Sequence, residues 1–449
     1  MSAKITQVVK RSGAVVPFKQ ERITNAIYRA AVAVGGRDRA VAERLSAQVI
    51  ACLEDTYQGN RTPSVEDIQD IVEKVLIENG HAKTAKAYIL YRQERARRRR
   101  RREQGESQRD PENIPYRKLW EVLNWAVDHN LYNVYRLNER IAKGEFPAIV
   151  QESDAAYEQD IATAAEMIKQ RRDEVRIVII AGPSSSGKTT TTAKLSEHLK
   201  RAGLNLVALN VDNYFFDLSV HPQDEYGDYD FETPQALDLP LINEHLTRLI
   251  AGEKVLTPYY DFKTGARQPD AIPMQIGPHD IILIDSLHGL YHDMTKDVPA
   301  AQKFKLYIET LLQMKGPDNK YIRFTDLRLM RRMLRDARER AYDPQQTLEH
   351  WHYVRSSELR HIIPYVNSTD YIVNGATPYE LPIMCARLGA HFSRWVTLYK
   401  DDPNRVDAYL RAERVHKLLQ AITPVEDDSP IPATSHIREF IGGSAYDLH

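Results

Sequence analysis

Gly182-Pro183-Ser184-Ser185-Ser186-Gly187-Lys188-Thr189 follows the apolar run Val175 to Ala181 and precedes a helical pattern, and the reading of this stretch decides the fold. It matches G-x-x-x-x-G-K-[S/T], a loop whose glycines let the backbone wrap close to phosphate oxygens. The helix that follows offers unpaired N–H groups and a positive dipole end. Gly182, Pro183, Ser184, Ser185, Ser186, Gly187, Lys188, Thr189 and Thr190 are therefore candidates to hold the phosphates of a nucleoside triphosphate, with Lys188 as a point charge and the Thr189 hydroxyl as a magnesium ligand. A glycine-rich turn that merely joined strand to helix would not need this agreement of spacing and flanks.

Working outward, Leu206 to Val211, Ile281 to Asp285 and Phe304 to Ile308 are further short apolar runs divided by helical stretches. That texture predicts a parallel sheet, so residues 174–449 are expected to form an α/β domain built around the phosphate loop. Asp212, heading Asp212-Asn213-Tyr214-Phe215, falls at the C-terminal end of a run, where open α/β sheets gather ligands. It reads equally as a base for a hydroxyl proton or as a turn or helix-cap residue. Asp285 ends another run and is a candidate to orient magnesium through its water shell. Arg328, Arg331, Arg332, Arg335, Arg338 and Arg340 share one helical stretch. By charge alone they read as a solvated basic face, the alternative being a lid that closes on the phosphates.

Toward the N-terminus, Ile5 to Val9 and Ala14 to Val16 suggest a small hairpin. Ile23, Ile27 and Ala31, then Leu45, Val49 and Leu53, then Ile68, Ile71 and Val75 place apolar stripes on successive helices. Ser64 with Asp67 looks like an N-terminal cap, and a further helix runs from about Ala82 into the block Arg97 to Arg102. Gly105, Ser107, Asp110 and Pro111 read as a linker. The expected domains are thus 1–102, mainly helical; 103–173, a linker and helical connector with Leu119, Val122 and Leu123 as its inner face; and 174–449.

A chain of 449 residues, 42% hydrophobic and 27% charged, has ordinary globular composition and length for several domains. Its formal net charge of −1 argues against a global field for nucleic acid or anionic membrane. Cys52 and Cys385, its two cysteines, form neither a disulfide framework nor a zinc cluster, which fits a reducing cytoplasm. No run approaches the roughly 18 apolar residues of a membrane span.

Several motifs, in order, resemble the uridine kinase and phosphoribulokinase family over roughly Arg176 to Met384: Gly182 to Thr189, Asp212 to Phe215, Phe231-Glu232-Thr233-Pro234, Tyr260-Asp261-Phe262, Ile284-Asp285, and Arg328 to Arg340. The resemblance is nearest to a bacterial uridine-kinase-like branch that shares Asp261 to Arg267, Trp351 to Pro364 and Arg438 to Ser444. It implies a phosphate-loop kinase fold, Asp212 as general base on a ribose 5′-hydroxyl, and Lys188, Arg332, Arg335 and Arg340 as charge stabilisers. Asp212, Tyr214, Glu232, Tyr260, Arg267 and Tyr342 become the candidate acceptor site, and Thr189 and Asp285 the candidate magnesium ligands. The chain departs from the family where Gly265 replaces a pyrimidine-reading histidine, Tyr342 a lid arginine, Glu232 an aspartate, and Asp285-Ser286 a glutamate-glycine pair. Residues Lys4 to Arg95 resemble an ATP-cone, through Val9-Lys10-Arg11-Ser12-Gly13, Pro17-Phe18 and Ala87 to Arg92. That implies an allosteric nucleotide near Val9, Lys10, Arg11 and Lys19, the alternative being a small helical domain with an exposed basic turn.

The expectation is an ATP- and magnesium-dependent nucleoside kinase, acting on a pyrimidine nucleoside, tuned by ATP or dATP at the cone, homo-oligomeric and cytoplasmic. Its rivals are a sugar-phosphate or small-alcohol kinase, a nucleotide-binding scaffold without transfer, and a nucleotide-sensing DNA regulator using Arg97 to Arg102. The last would carry a four-cysteine zinc ribbon in the repressors that share the module, which two distant cysteines cannot supply.

Overall fold

Strand β3 (Ile177–Ala181) is buried at every position, as a β-branched run flanked by strands on both sides should be. In the computed structural model, which describes residues 5–9, 15–57, 62–89, 92, 114–221, 231, 233–339, 342–402 and 405–446, β3 is the centre of a five-stranded sheet. The order is β4 (Asn205–Ala208), β7 (Asp280–Ser286), β3, β8 (Lys303–Glu309), β9 (Tyr371–Asn374). All neighbours pair in parallel. The parallel sheet is as expected; β9, four residues long, was not legible as a strand.

Two compact units make up the chain. The second comprises Pro111–Asn213, Leu239–Pro258 and Pro269–His449 and contains the whole sheet. Helices α7 (Phe146–Gln170) and α8 (Lys188–Arg201) cover the sheet, burying Tyr157, Ile161 and Ile168 with Leu195 and Leu199 against Val178, Ile180 and Leu306. The segment expected as a connector forms α5 (Tyr116–Asp128), α6 (Val134–Ala142) and α7, and α7 is part of the sheet's own core. On α5, Leu119, Val122 and Leu123 are half-buried, and Ala126 is the residue fully inside.

A helical core in the same unit gathers α10 (Phe324–Glu339), α11 (Pro344–His361), α12 (Glu380–Tyr399), α13 (Val406–Gln420) and the short α14 (Arg438–Ile441) around Trp351, Phe392, Trp395 and Phe440. The short helix α14 is therefore a core element.

The first unit comprises Met1–Asp110, Tyr214–Asp238 and Tyr259–Gln268. Strands β1 (Gln7–Val9) and β2 (Val15–Pro17) pair antiparallel, then α1 (Gln20–Val32), α2 (Arg39–Tyr57), α3 (Val65–Glu78) and α4 (82–89) follow. Their apolar stripes meet at Ile27, Leu45, Val49, Leu53 and Val75, as the spacing predicts. Ser64 and Asp67 form a reciprocal capping box, with the Asp67 N–H donating to Ser64 Oγ at 3.1 Å and the Ser64 N–H to Asp67 Oδ2 at 2.8 Å. Lys10, Arg11, the block Arg97 to Arg102, Glu232 and Arg340 lie outside the described residues. A hairpin, β5 (Val255–Asp261) and β6 (Ala266–Met274), turns at Gly265, and only its turn end, Tyr259–Gln268, belongs to this unit. No described helix is long and apolar enough to cross a membrane.

Candidate active site

Gly182 leaves β3 where a Cβ would stand 2.4 Å from the Ile308 carbonyl oxygen, so a side chain there would displace β8. Ser185 at φ 59 and Gly187 at φ 100 adopt left-handed conformations, the alternation that turns successive N–H groups into an anion cradle. Ser185 and Ser186 are buried, and among the described residues their hydroxyls have no hydrogen-bond partner. Orphaned buried polar atoms are costly, so this loop fits an anion that would satisfy them. Across the loop, the Thr191 hydroxyl donates to the Gly187 carbonyl at 2.7 Å and lies 2.7 Å from the Tyr157 hydroxyl.

Arginines clamp the loop from behind. Arg328 donates to the Ser184 carbonyl and Arg331 to the Ser186 carbonyl, both at 3.2 Å, while Arg332 donates to Ser184 Oγ at 3.2 Å. A solvated basic face does not describe Arg328 and Arg331, which are both fully buried. Arg328 pairs with Glu358 and lies 2.9 Å from Glu309; Arg331 pairs with Glu380 at 2.6 and 2.9 Å. Their acids come from β8, α11 and α12, and planar guanidinium groups can bridge such acids and the loop carbonyls together. Arg332, Arg335 and Arg338 keep partial access to solvent, and each pairs with a neighbouring acid, Asp336 or Glu339.

Parallel register sets Asp285 beside Ile180, one strand over from the loop, and its Oδ2 accepts from the Thr192 hydroxyl at 3.0 Å. Burial pushes its carboxyl up, against Lys188 and Thr192. Asp212 occupies a helical turn after β4. Solvent reaches its side chain, yet the protein around it raises the carboxyl's pKa, Asp285 raises it further, and Lys188 opposes both. Lys188 thus acts on both carboxyls, which places a cation, a strand-end acid and an acid of raised pKa in one charge neighbourhood at the sheet's C-terminal edge. Tyr342, in the same unit, lies 2.8 Å from His350 Nδ1 through its hydroxyl.

The remaining acceptor candidates belong to the first unit. Tyr214 and Tyr260 are buried. Phe215 stands within 5.4 to 5.9 Å, ring to ring, of Phe231, His221, Tyr260 and Phe262. Arg267 pairs with Asp238 at 2.9 Å, and its N–H donates to Asp217 at 2.7 Å. Gly265 has φ +68, and a Cβ there would sit 2.8 Å from Leu218 Cβ. The residue at this position is thus dictated by the turn, and any side chain would displace Leu218. In the N-terminal elements, Val9 ends β1 and Lys19 caps α1, exposed.

Sequence reasoning missed Glu309, Glu358, Glu380, Tyr157, His436 and Glu439. Glu309 carried the same signal as Asp285, an acid closing an apolar run; the others depend on contacts between distant segments.

Residues 6–97 match the ATP cone domain family, and residues 177–379 match the Phosphoribulokinase / Uridine kinase family. A uridine kinase of Chloroflexus aurantiacus is 30% identical over 218 residues, spanning 48% of this chain and 94% of that protein. A uridine kinase of Deinococcus deserti is 27% identical over 215 residues, spanning 47% and 94%. A solved structure described as a possible uridine kinase from Bacillus stearothermophilus aligns with 47% of this chain and 97% of its own at 16% identity and a TM-score of 0.29. With a phosphate cradle, a strand-end acid and a parallel sheet in the order just described, the chain belongs to the phosphoribulokinase / uridine kinase family and carries an ATP cone domain ahead of its kinase domain.

Proposed function

We propose that the protein is an ATP-dependent nucleoside kinase that transfers the γ-phosphoryl group to a nucleoside 5′-hydroxyl, with a pyrimidine nucleoside as the acceptor. The observation that carries this reading is Asp212, a carboxyl of raised pKa sharing its surroundings with Lys188 and Asp285 at the C-terminal edge of the sheet. The loop N–H groups and Lys188 hold the phosphates; Asp212 takes the proton as the hydroxyl oxygen attacks phosphorus; ADP leaves opposite the new bond. Arg332 and Arg335 face charge that develops on the transferring group. A hydroxyl beside the loop lysine and one strand-end carboxylate suit a magnesium ion that takes its other ligands from phosphate and water. Thr189 and Asp285 would hold that ion, which supplies charge neutralisation across the β- and γ-phosphates. A sugar-phosphate acceptor would need uncommitted cations, and Arg267 is already engaged by Asp238.

ATP consumption with magnesium against a panel of ribonucleosides, deoxynucleosides and ribulose 5-phosphate tests the reading. Turnover of one nucleoside class is expected. ATP binding without phosphorylation of any acceptor would overturn it and leave a scaffold or regulatory role.

Regulation by ATP or dATP at the cone belongs to the same proposal, and the first unit offers a route for it. Arg37, between α1 and α2, donates to the Gln235 carbonyl at 3.0 Å and stacks its guanidinium 4.0 Å from the Phe216 ring centre. Arg267 lies against the same ring at 5.2 Å. The cone thus grips the segment that follows Asp212 and Asn213. Arg37→Ala is expected to keep effector-free turnover within about 2-fold while removing the response to ATP or dATP, a coupling on the order of 5- to 150-fold when intact. Effector titrations of the acceptor's kcat/KM check this; an unchanged response would exclude Arg37 as the link. Light scattering with and without effector reports whether a homo-oligomer changes size in step.

A further inference from the structure

Helix α8 starts at Gly187, and its first internal hydrogen bond runs from the Thr191 N–H to the Gly187 carbonyl. The N–H groups of Lys188, Thr189 and Thr190 therefore have no partner within the helix. At Thr190 a carboxyl group is already in place. Glu439 Oε2, from α14, accepts the Thr190 N–H at 3.1 Å and the Thr190 hydroxyl at 2.9 Å. Glu439 is buried. Burial pushes its carboxyl up, and the two Thr190 bonds, Arg335 and Lys188 work against that. A carboxylate bound by a helix-start N–H, a hydroxyl and nearby cations is the chemistry a phosphate oxygen would use at the same donors.

The segment around Glu439 is anchored independently of this contact. Arg338 donates to the carbonyls of Glu439 and Phe440 at 3.0 and 3.2 Å, Arg387 to that of Ile441 at 2.8 Å, and Ser435 lies 2.7 Å from the Tyr379 hydroxyl. His436 Nε2 lies 2.9 Å from the Gly375 carbonyl, and its ring stacks on Tyr157 at 4.2 Å. None of these anchors engages the Glu439 carboxyl itself, so its bonds to Thr190 can break while the core contacts of Phe440 and Ile441 persist.

We propose that Glu439 is an internal occupant of the phosphate subsite at Thr190, and that a nucleoside triphosphate binds fully only as Glu439 releases it. This rests on the reading of the loop as the ATP site. One N–H and one hydroxyl cannot serve the Glu439 carboxyl and a phosphate at once. The C-terminal segment then sets the apparent affinity of the loop, which falls by the fraction of molecules whose subsite is open. Hydrogen bonds to a charged group of this kind correspond to about 10- to 100-fold in such an equilibrium.

The test combines titration calorimetry of the full chain with magnesium and a non-hydrolysable ATP analogue, on wild type, Glu439→Gln and Glu439→Ala, with amide hydrogen exchange of wild type. Expected are about 10-fold or greater tightening in Glu439→Ala, a smaller gain in Glu439→Gln, and faster exchange at residues 435–443 when wild type is saturated. The exchange arm needs no variant to fold. Equal or weaker binding by both variants, with exchange at 435–443 unchanged or slowed, would make Glu439 a fixed clamp and overturn the proposal while leaving the ATP site standing. Failure of the analogue to bind wild type and variants alike would remove the ATP-site reading and this inference with it.

Discussion

On the proposed reaction, Asp212→Asn is expected to lower kcat by about 10²- to 10⁴-fold, the range over which a positioned general base contributes, while nucleotide affinity should hold or improve. The two effects separate because the asparagine keeps the shape of the side chain but cannot take a proton. It also deletes a negative charge from a neighbourhood that already contains Asp285 and must accept phosphates. Single-turnover transfer and analogue titration, run side by side, read the two quantities. In wild type the acid limb of the kcat/KM profile should lie above the ordinary aspartate value of about 3.9. Desolvation and Asp285 raise the Asp212 carboxyl more than Lys188 lowers it, so the base becomes protonated, and activity is lost, at a higher pH than an isolated carboxylate would dictate. A variant that turned over like wild type would return Asp212 to the role of a turn or cap residue.

What could be read in advance from the sequence was local. The phosphate loop, its preceding strand, the acid Asp285 on β7 and the apolar stripes of α1 to α3 are each settled within about a dozen residues, the reach of hydrophobic periodicity and turn chemistry. The run Leu206 to Val211 is a strand only as far as Ala208, so Asp212 lies beyond the strand end, in a helical turn. Strand β9 escaped because Tyr371 to Asn374 is a strand by virtue of pairing with β8. Arg328 and Arg331 read as solvated in sequence because a charge run is solvated unless something distant neutralises it, and Glu309, Glu358 and Glu380 do so from other elements. At Gly265 the sequence shows only a departure from the family's residue; the positive φ and the nearness of Leu218, which make it a turn residue, are properties of the fold. Glu439 on Thr190 joins positions from opposite ends of the kinase domain, and although Arg438 to Ser444 stands out as a motif, nothing local to it points to the phosphate loop.

Arg328→Met should be the most destabilising substitution at this site, costing about 3–5 kcal/mol. Arg328 is fully buried between Glu309 and Glu358, so its loss leaves two buried carboxylates, with Arg355 as the remaining partner of Glu358. The melting temperature of the kinase domain should fall by on the order of 10 °C, at roughly 2–4 °C per kcal/mol for a domain of this class. Nucleotide binding should weaken with it, because the hydrogen bond that holds the Ser184 carbonyl is gone. Adding Glu309→Gln and Glu358→Gln should restore much of the stability, since the penalty lies in unpaired charge more than in lost attraction. Acid provides an independent check. Burial pushes the Glu358 carboxyl up, but Arg328 and Arg355 outweigh it and hold it below its ordinary value. Its contribution is therefore complete above the unfolded value of about 4.3 and is lost as pH falls through the folded one. The gap in stability between wild type and Arg328→Met should narrow below about pH 4. Melting curves of both proteins from pH 3 to 8 decide the matter, and a variant that melts within about 1 °C of wild type at pH 7 would mean the carboxylates are protonated in the native state and the arginine is not what holds them.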